Sequence, residues 1–430
     1  SAFKPVIYAA ALDPLQPQPM TAATTLLDVS RTFAAKDGQP YKPSNYDGKE
    51  HGFVSVREAL ASSLNVPAVL TLQHVGVERV IALANRLGIR SLGAPQNYDL
   101  SLALGGGQMS LLELSQAYAA LANEGKYRDA LLILDIRSAD GVLLYQPKRT
   151  PAAQAIDPRV AWLISDILSD DRFRQTGFGL NSVLKIDRPA AVKTGTTSNF
   201  HDNWTIGYTP DLLVGVWVGN SDYQAMRNVT GLTGAAPIWA EAMRSILRGR
   251  PEKAFERPDN LVQAEVCSLS GLLPTAACQR TRMEWFIAGT QPAAFDAFYQ
   301  FSDSGEVVLD LPVEARDWAR ASGFRLLEDS NSPGGLTLVS PPDNTTYRIV
   351  PDLDLDAQRL ALSARSAPGF TQVTFFVDGA ALGTISTPPY QIWWRLSPGR
   401  HQIWAEGVDS AGGTVKSNVV HVAVEAEASP

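Results

Sequence analysis

Ser1, Lys4, Ser63, Asn65 and Lys193 are the residues whose types and spacing could perform chemistry here, and that chemistry is acyl transfer through a serine. They stand in three short motifs, Ser1-Ala2-Phe3-Lys4, Ser63-Leu64-Asn65 and Lys193-Thr194-Gly195-Thr196, in that order along the polymer. At average residue usage S-x-x-K arises by chance about once or twice in 430 residues, S-x-N about as often, and K-T-G-T well under once. The ordered set therefore carries the signal.

A serine hydroxyl is a weak nucleophile at neutral pH until a neighbouring base takes its proton. Lys4 is the candidate base, because in a helix over Ser1 to Ala10 the two side chains lie one turn apart on the same face. That amine must be neutral, and both burial and a nearby second cation, for which Lys193 is the candidate, push a lysine pKa down. Ser63 can relay a proton, and the Asn65 amide can hold a substrate backbone and the Lys4 amine, both side chains facing a cleft from a loop before Pro67. Lys193 to Thr197 reads as an edge strand bordering that cleft. Gly195 lets a ligand backbone come close, Thr194 and Thr196 suit a terminal carboxylate, and Thr197 completes the substrate-binding set. The backbone N–H groups of Thr196 and the nucleophile could form an oxyanion hole. Plain structural readings compete: an exposed helical turn for the first motif, a helix end with a capping Asn for the second, a threonine-lined sheet edge for the third. Their joint occurrence favours chemistry.

The elements that must position these residues are legible as hydrophobic periodicity. Helices are predicted over Ser55 to Ser63, Pro67 to Leu87, Ser110 to Asn123, Asp157 to Leu168 and Pro237 to Leu247, with Leu112, Ala119 and Leu121 in a buried stripe. Strands are predicted over Trp204 to Tyr208 and Leu213 to Val218, around the turn Thr209-Pro210-Asp211. From about Leu336, period-two segments (Val373 to Val377, Gln391 to Leu396, His401 to Val408, Val415 to Val424) alternate with the turn signals Asp378-Gly379, Pro398-Gly399 and Gly412-Gly413, which is the pattern of a small β-sandwich. The expected fold is α+β, an antiparallel sheet with packed helices, followed by a small all-β, Ig-like sandwich. Its expected domains are residues 1–249, a connector over 250–335, and the sandwich over 336–426.

Composition narrows the class further. With 45% hydrophobic and 19% charged residues the chain is globular, and 430 residues suggest two or three domains. A net charge of −7 without a dense basic face argues against a nucleic-acid partner. No run of about 18 apolar residues occurs, and the sequence opens on Ser1 without a methionine, so it reads as a fragment of something longer. The two cysteines, Cys267 and Cys278, lie close together in a Ser/Gly/Pro-rich stretch and are expected to form a local disulfide, two buried free thiols being the alternative. Five scattered histidines and two cysteines suggest no metal site, and no cofactor is expected. Gly105-Gly106-Gly107 lacks the following Gly-Lys-Ser/Thr of a phosphate loop, and G-x-S-x-G is absent.

Residues 1 to about 249 resemble the transpeptidase domain of a class A penicillin-binding protein. The resemblance rests on the three motifs and on Ser63-Leu64-Asn65-Val66-Pro67-Ala68, Ala103-Leu104-Gly105-Gly106, Leu112 to Tyr118, Asp202-Asn203-Trp204 and Gly207-Tyr208-Thr209-Pro210. The connector and terminal sandwich are similar to the penicillin-binding protein 1C subgroup. The resemblance implies a serine β-lactamase/transpeptidase-like fold, N-terminally truncated and lacking its first strands, and a D,D-transpeptidase of peptidoglycan synthesis. Ser1 would attack the penultimate D-alanine carbonyl of a stem peptide and pass the acyl group to an amine on a neighbouring stem, and β-lactams would acylate the same serine. It further implies a membrane anchor and a glycosyltransferase domain ahead of Ser1 at the periplasmic face of the inner membrane, so the fragment alone is not expected to be fully active. The alternatives are a D,D-carboxypeptidase, a β-lactamase, for which the E-x-x-L-N pattern is missing, and a non-catalytic wall-binding or sensor module whose sandwich docks an envelope protein through Trp393, Trp394 or Trp404.

Overall fold

The computed structural model describes residues 1–430 except 35–38, 180–181, 228, 303–304, 331–334, 350–357, 367–368, 411 and 427–430. The chain divides into two compact units, Ser1–Phe298 and Tyr299–Pro430.

The first unit is built around one helix. Helix α1, Lys4–Ala11, is buried along its whole length, as a segment apolar on all sides must be, and Pro5 fits its first turn, where no N–H is needed. Four further helices contribute to the same core: α2 (Val56–Ala61), α3 (Asn65–Val75), α4 (Val77–Arg86) and α5 (Leu111–Ala122). The helix expected over Pro67 to Leu87 is thus two, bent by 92° at Gly76, whose φ of +88° only glycine adopts cheaply. Among the described residues no single helix is long and apolar enough to cross a membrane. In α5 the expected stripe is corrected: Leu121 is buried, but Leu112 and Ala119 face outward, and the inward face is Leu114, Ala117, Tyr118 and Leu121. The capping box of Ser110 and Glu113 sets the start of α5, and with it the rotation of that face.

Helices α6 (Pro158–Ser169), α7 (Gln175–Phe178) and α8 (Ala235–Leu247) accompany a three-stranded antiparallel sheet. A short antiparallel pair precedes it, β1 (Thr25–Asp28) with β2 (Gly52–Ser55). The sheet itself is β3 (Ala191–Thr196), β4 (Asp202–Thr209) and β5 (Leu212–Gly219), in spatial order β5-β4-β3, so the lysine motif lies on a strand with one unpaired side. Alternation sorts its faces. Val192, paired with Gly207, turns toward α8, where a side chain at Gly207 would come within 2.5 Å of the buried Trp239 ring. Lys193, paired with Ile206, turns to the other face, toward the core of α1 and α5.

Part of the stretch read as a connector forms an antiparallel hairpin, β6 (Leu261–Cys267) with β7 (Thr281–Ile287), in the first unit. Cys267 and Cys278 are disulfide-bonded, which removes the free-thiol alternative. Glu284 of β7 is buried against Arg57 of α2, whose guanidinium donates to both of its carboxylate oxygens at 2.6 to 3.0 Å and to Asp166 of α6 at 2.7 Å.

In the second unit a three-stranded sheet (Leu336–Ser340, Arg359–Ser366, Tyr390–Arg395) and a larger one centred on Gly399–Asp409 share one apolar core containing Phe375, Trp394 and Ile403. The single strand expected over Val415 to Val424 is two, Thr414–Lys416 and Val420–Ala426. Ser417 and Asn418 break it, because their side chains accept from the backbone N–H of Ala405 and Leu338 instead of continuing the ladder. Trp394 is core and Trp404 stacks between Phe376 and Lys416, whereas Trp393 is 57% exposed.

The Arg57 junction yields a stability prediction. Arg57→Ala leaves Glu284 buried without its bidentate partner, which should cost about 3–5 kcal/mol. Urea unfolding of the first unit measures it, and a loss under about 1 kcal/mol would show that the junction is not a structural anchor.

Candidate active site

Three local devices bring the predicted residues to one groove. The first is the α1 entrance: Lys4 N–H donates to Ser1 O at 3.1 Å, closing the turn that sets the two side chains one turn apart, and the buried Tyr118 hydroxyl donates to Ala2 O at 2.6 Å. The second is the end of α2. Leu64 N–H donates to Ala59 O at 2.9 Å and Ser63 N–H to Leu60 O at 3.2 Å, a Schellman ending with Ser63 at its left-handed position, φ +61°. That position normally belongs to glycine, so a serine there carries a backbone cost of about 1–2 kcal/mol and is held by what its side chain does. The third is β3, whose alternation delivers Lys193 to the same place.

At that place both lysine side chains are fully buried. Lys193 Nζ donates to Ser63 Oγ at 2.6 Å and to Thr194 O at 3.0 Å. Lys4 Nζ donates to Ser63 O at 2.7 Å, Leu64 O at 3.0 Å and Asn65 Oδ1 at 2.8 Å, with Ser63 Oγ at 3.5 Å. Ser63 Oγ thus stands between two amines. Asn65 is the first residue of α3 rather than a loop residue, and its own amide is fixed by donation to Ser44 O at 2.8 Å.

Burial, then the Lys193 charge, pushes the Lys4 amine well below the ordinary lysine range, with Asp28 opposing. Burial, then Arg174, lowers Lys193 to about 7. Three oxygen acceptors around Lys4 suit an ammonium, while desolvation and Lys193 favour the amine. A neutral amine has two N–H groups and can donate to only two of the three.

Ser1 lines a groove of about 180 Å³ together with Ser63, Asn65, Thr194, Gly195 and Thr196. A second hollow, of about 400 Å³, meets it at Ser1, Gly195 and Thr196 and also touches Thr197 and Gly105 to Gly107. Every predicted chemical and substrate-binding residue except the buried Lys4 and Lys193 therefore lines one hollow or the other, and those two reach the groove through Ser63. A side chain on Gly195 would lie 3.0 Å from Ala2 N, so glycine is what lets β3 close on the Ser1–Ala2 segment. Thr197 N–H donates to Asp202 O at 3.0 Å, and alternation then turns the Thr196 N–H to the unpaired side of β3.

Several groups at the site were not singled out from the sequence. Gly231 packs over β3, its N–H donating to Thr196 Oγ1 at 2.9 Å, and an added side chain would come within 2.5 Å of Gly195 O. Gly177 abuts Ser62 O, and Asn45 Oδ1 accepts from Asn65 N–H at 2.8 Å. Only a Gly or Asn in a turn-like context marks each of these, a signal shared with ordinary loops.

Comparison with known proteins places the chain in a family. Residues 1–244 match the family described as "Penicillin binding protein transpeptidase domain", residues 257–300 "Penicillin-binding protein 1A, C-terminal domain", and residues 325–420 "Penicillin-Binding Protein C-terminus Family". The chain belongs to the penicillin-binding protein transpeptidase family. Penicillin-binding protein 1A of Neisseria lactamica is 34% identical over 270 residues, 61% of this chain and 33% of that protein. Penicillin-binding protein 1A of Aquifex aeolicus is 32% identical over 295 residues, 68% of this chain and 39% of that protein. The chain thus spans about a third of the length of these curated relatives. Among solved structures, penicillin-binding protein 1A from Haemophilus influenzae superposes with a TM-score of 0.59 at 25% identity, over 69% of this chain and 48% of that one. PonA1 from Mycobacterium tuberculosis gives 0.51 at 25% identity, over 60% and 70%.

The depressed Lys193 makes stability depend on pH. Between about 7 and the ordinary 10.5 the unfolded chain carries one more proton at this side chain than the folded one, so the free energy of unfolding rises with pH across that window. Lys193→Met lacks this linkage. Any stability advantage of Lys193→Met at or below pH 7 should shrink as pH rises toward 10.5, and a pH-independent difference in urea unfolding would contradict the buried-amine description.

Proposed function

We propose that the chain is the catalytic part of a D,D-transpeptidase that cross-links peptidoglycan stem peptides through an acyl-serine, and that β-lactams acylate the same serine. The single observation that supports this most is the pair of buried amines bridged by Ser63 Oγ at the rim of a groove holding Ser1. In this reading Ser1 Oγ loses its proton to neutral Lys4 as it attacks the carbonyl of the penultimate D-alanine. The oxyanion is received by the Thr196 N–H and the Ser1 backbone N–H of the longer chain. As the tetrahedral adduct collapses the C–N bond breaks, and the D-alanine amine takes a proton passed from Lys4 through Ser63. An amine of a second stem then attacks the acyl-serine, giving the cross-link and returning the proton to Ser1. Lys193 holds Ser63 in its strained turn and favours the neutral form of Lys4. Thr194, Thr196 and Thr197 are the hydroxyls available to a substrate carboxylate.

Since the match covers only 33–39% of these longer relatives, we place a membrane anchor and a glycosyltransferase domain ahead of Ser1 in the full-length protein, at the periplasmic face of the inner membrane. For the C-terminal unit, docking to another envelope protein is a secondary reading, supported by the exposure of Trp393.

Incubation of the full-length protein with a fluorescent penicillin tests the reading. Ser1→Ala should abolish covalent labelling and cross-linking, and Lys4→Ala should slow acylation at least 100-fold, the scale of general-base catalysis. Ser63→Gly suits the left-handed turn and should unfold within about 1 kcal/mol of the parent while acylating far more slowly. Retained cross-linking by Ser1→Ala would exclude the mechanism, and rapid turnover of the penicillin without a stable adduct would favour a hydrolase.

A further inference from the structure

Behind Lys4 lies a second layer of polar groups that the catalytic reading leaves unused. Asn65 Oδ1, an acceptor for Lys4, belongs to a residue whose N–H donates to Asn45 Oδ1 at 2.8 Å. Asn45 Nδ2 in turn donates to Asp28 Oδ2 at 2.7 Å. Asp28 ends β1, opposite Gly52 of β2, and this register brings His51 beside it, with Nδ1 2.6 Å from the same Asp28 oxygen. The other ring nitrogen, Nε2, faces Asp47 Oδ2 at 3.1 Å.

Carboxylates only accept, so a ring with a carboxylate at each nitrogen must donate from both and is an imidazolium. Asp28 is fully buried, and its second oxygen finds no hydrogen-bond partner among the described residues. Its charge is therefore met at the other oxygen, by the Asn45 amide and by His51. An uncompensated Asp28 would act on the nearby Lys4 in the wrong sense, favouring the ammonium that cannot take a proton.

We infer that His51 is a positioning residue for the reaction: as a cation clamped between Asp28 and Asp47 it neutralises the buried carboxylate, so that the Asp28–Asn45–Asn65 frame can hold Lys4 without holding it charged. This rests on the reading of Lys4 as the base. The other titratable groups facing the pair are Glu58 of α2, on which His51 and Asp28 act in opposite senses, and Tyr8 of α1; Lys193 faces Lys4 from β3. The hydrogen bond to Asp28 is the largest influence raising the His51 pKa, and it favours the cation.

The test is the pH dependence of acylation of the full-length protein by a fluorescent penicillin. His51→Gln exposes the Asp28 charge to Lys4, so the acid limb of the profile should move up by about one pH unit, with acylation about tenfold slower at any pH on that limb. Asp28→Asn removes that charge, and its limb should move the opposite way, to lower pH. The double variant Asp28→Asn/His51→Gln should not carry the upward displacement of the single His51→Gln. A merely structural role would scale the rates without moving the limb, so a His51→Gln limb coincident with that of the parent overturns the proposal. If His51→Gln does not fold, His51→Asn carries the same expected upward displacement and takes its place. Lys4→Ala separates the two readings: labelling retained there refutes the base, whereas a silent Lys4→Ala beside unmoved limbs refutes only the role of His51.

Discussion

Two lysine amines buried around one serine oxygen are the constraint on which the first unit depends. Burying a single charge without a partner is costly, and burying two like charges side by side is worse, so the pair can exist only if at least one amine gives up its proton. The molecule reaches this with backbone carbonyls and one amide oxygen rather than a carboxylate at Lys4. A directly bonded carboxylate would satisfy the ammonium and fix the proton on it. Asp28, the acid whose charge acts on Lys4, is linked to it by hydrogen bonds through two asparagines and is itself matched by a histidine.

The surrounding architecture reads as a set of means for making that burial geometrically unavoidable. Helix α1 has no polar face, so Lys4 at its start cannot escape to water by rotation of the helix. Strand alternation gives Lys193 no choice of side once Val192 and Gly207 are packed against Trp239. The Schellman ending of α2 turns Ser63 out of the helical path at the level of both amines, using a residue that pays a backbone penalty for the position. Strain of this kind is found where a side chain is needed more than a relaxed backbone.

The three motifs and most helices were legible because both signals are local. Lys193-Thr194-Gly195-Thr196 is rare as a string, and the apolar periodicity of the segments that became α5, α6 and α8 runs over several turns. What was not legible was set by tertiary geometry. The helix expected over Pro67 to Leu87 bends at Gly76 and both halves bury residues in the core around α1, and a lone glycine inside an apolar run does not announce which outcome holds. The face of α5 was misjudged by about one residue in rotation, since Leu111 to Leu114 offers apolar candidates on several sides and the capping box decides among them. His51 looked like one of five scattered histidines; only the pairing of β1 with β2 brings it to Asp28, 23 residues earlier.

The hairpin β6–β7 adds an argument about what the helix before Ser63 requires. Helix α2 has only six residues, too short to be stable on its own packing of Val56, Ala59 and Leu60, yet it must hold the strained turn at its end. Arg57 ties it in two directions at once, to Asp166 of α6 and to Glu284 of β7. A buried ion pair adds little net stability compared with a well-packed apolar pair of the same size, but it is intolerant of displacement, because either partner left alone is an unpaired buried charge. Such a tie suits a helix whose task is to keep one serine oxygen within bonding reach of Lys193. On this view the hairpin belongs mechanically to the site although none of its residues lines the groove.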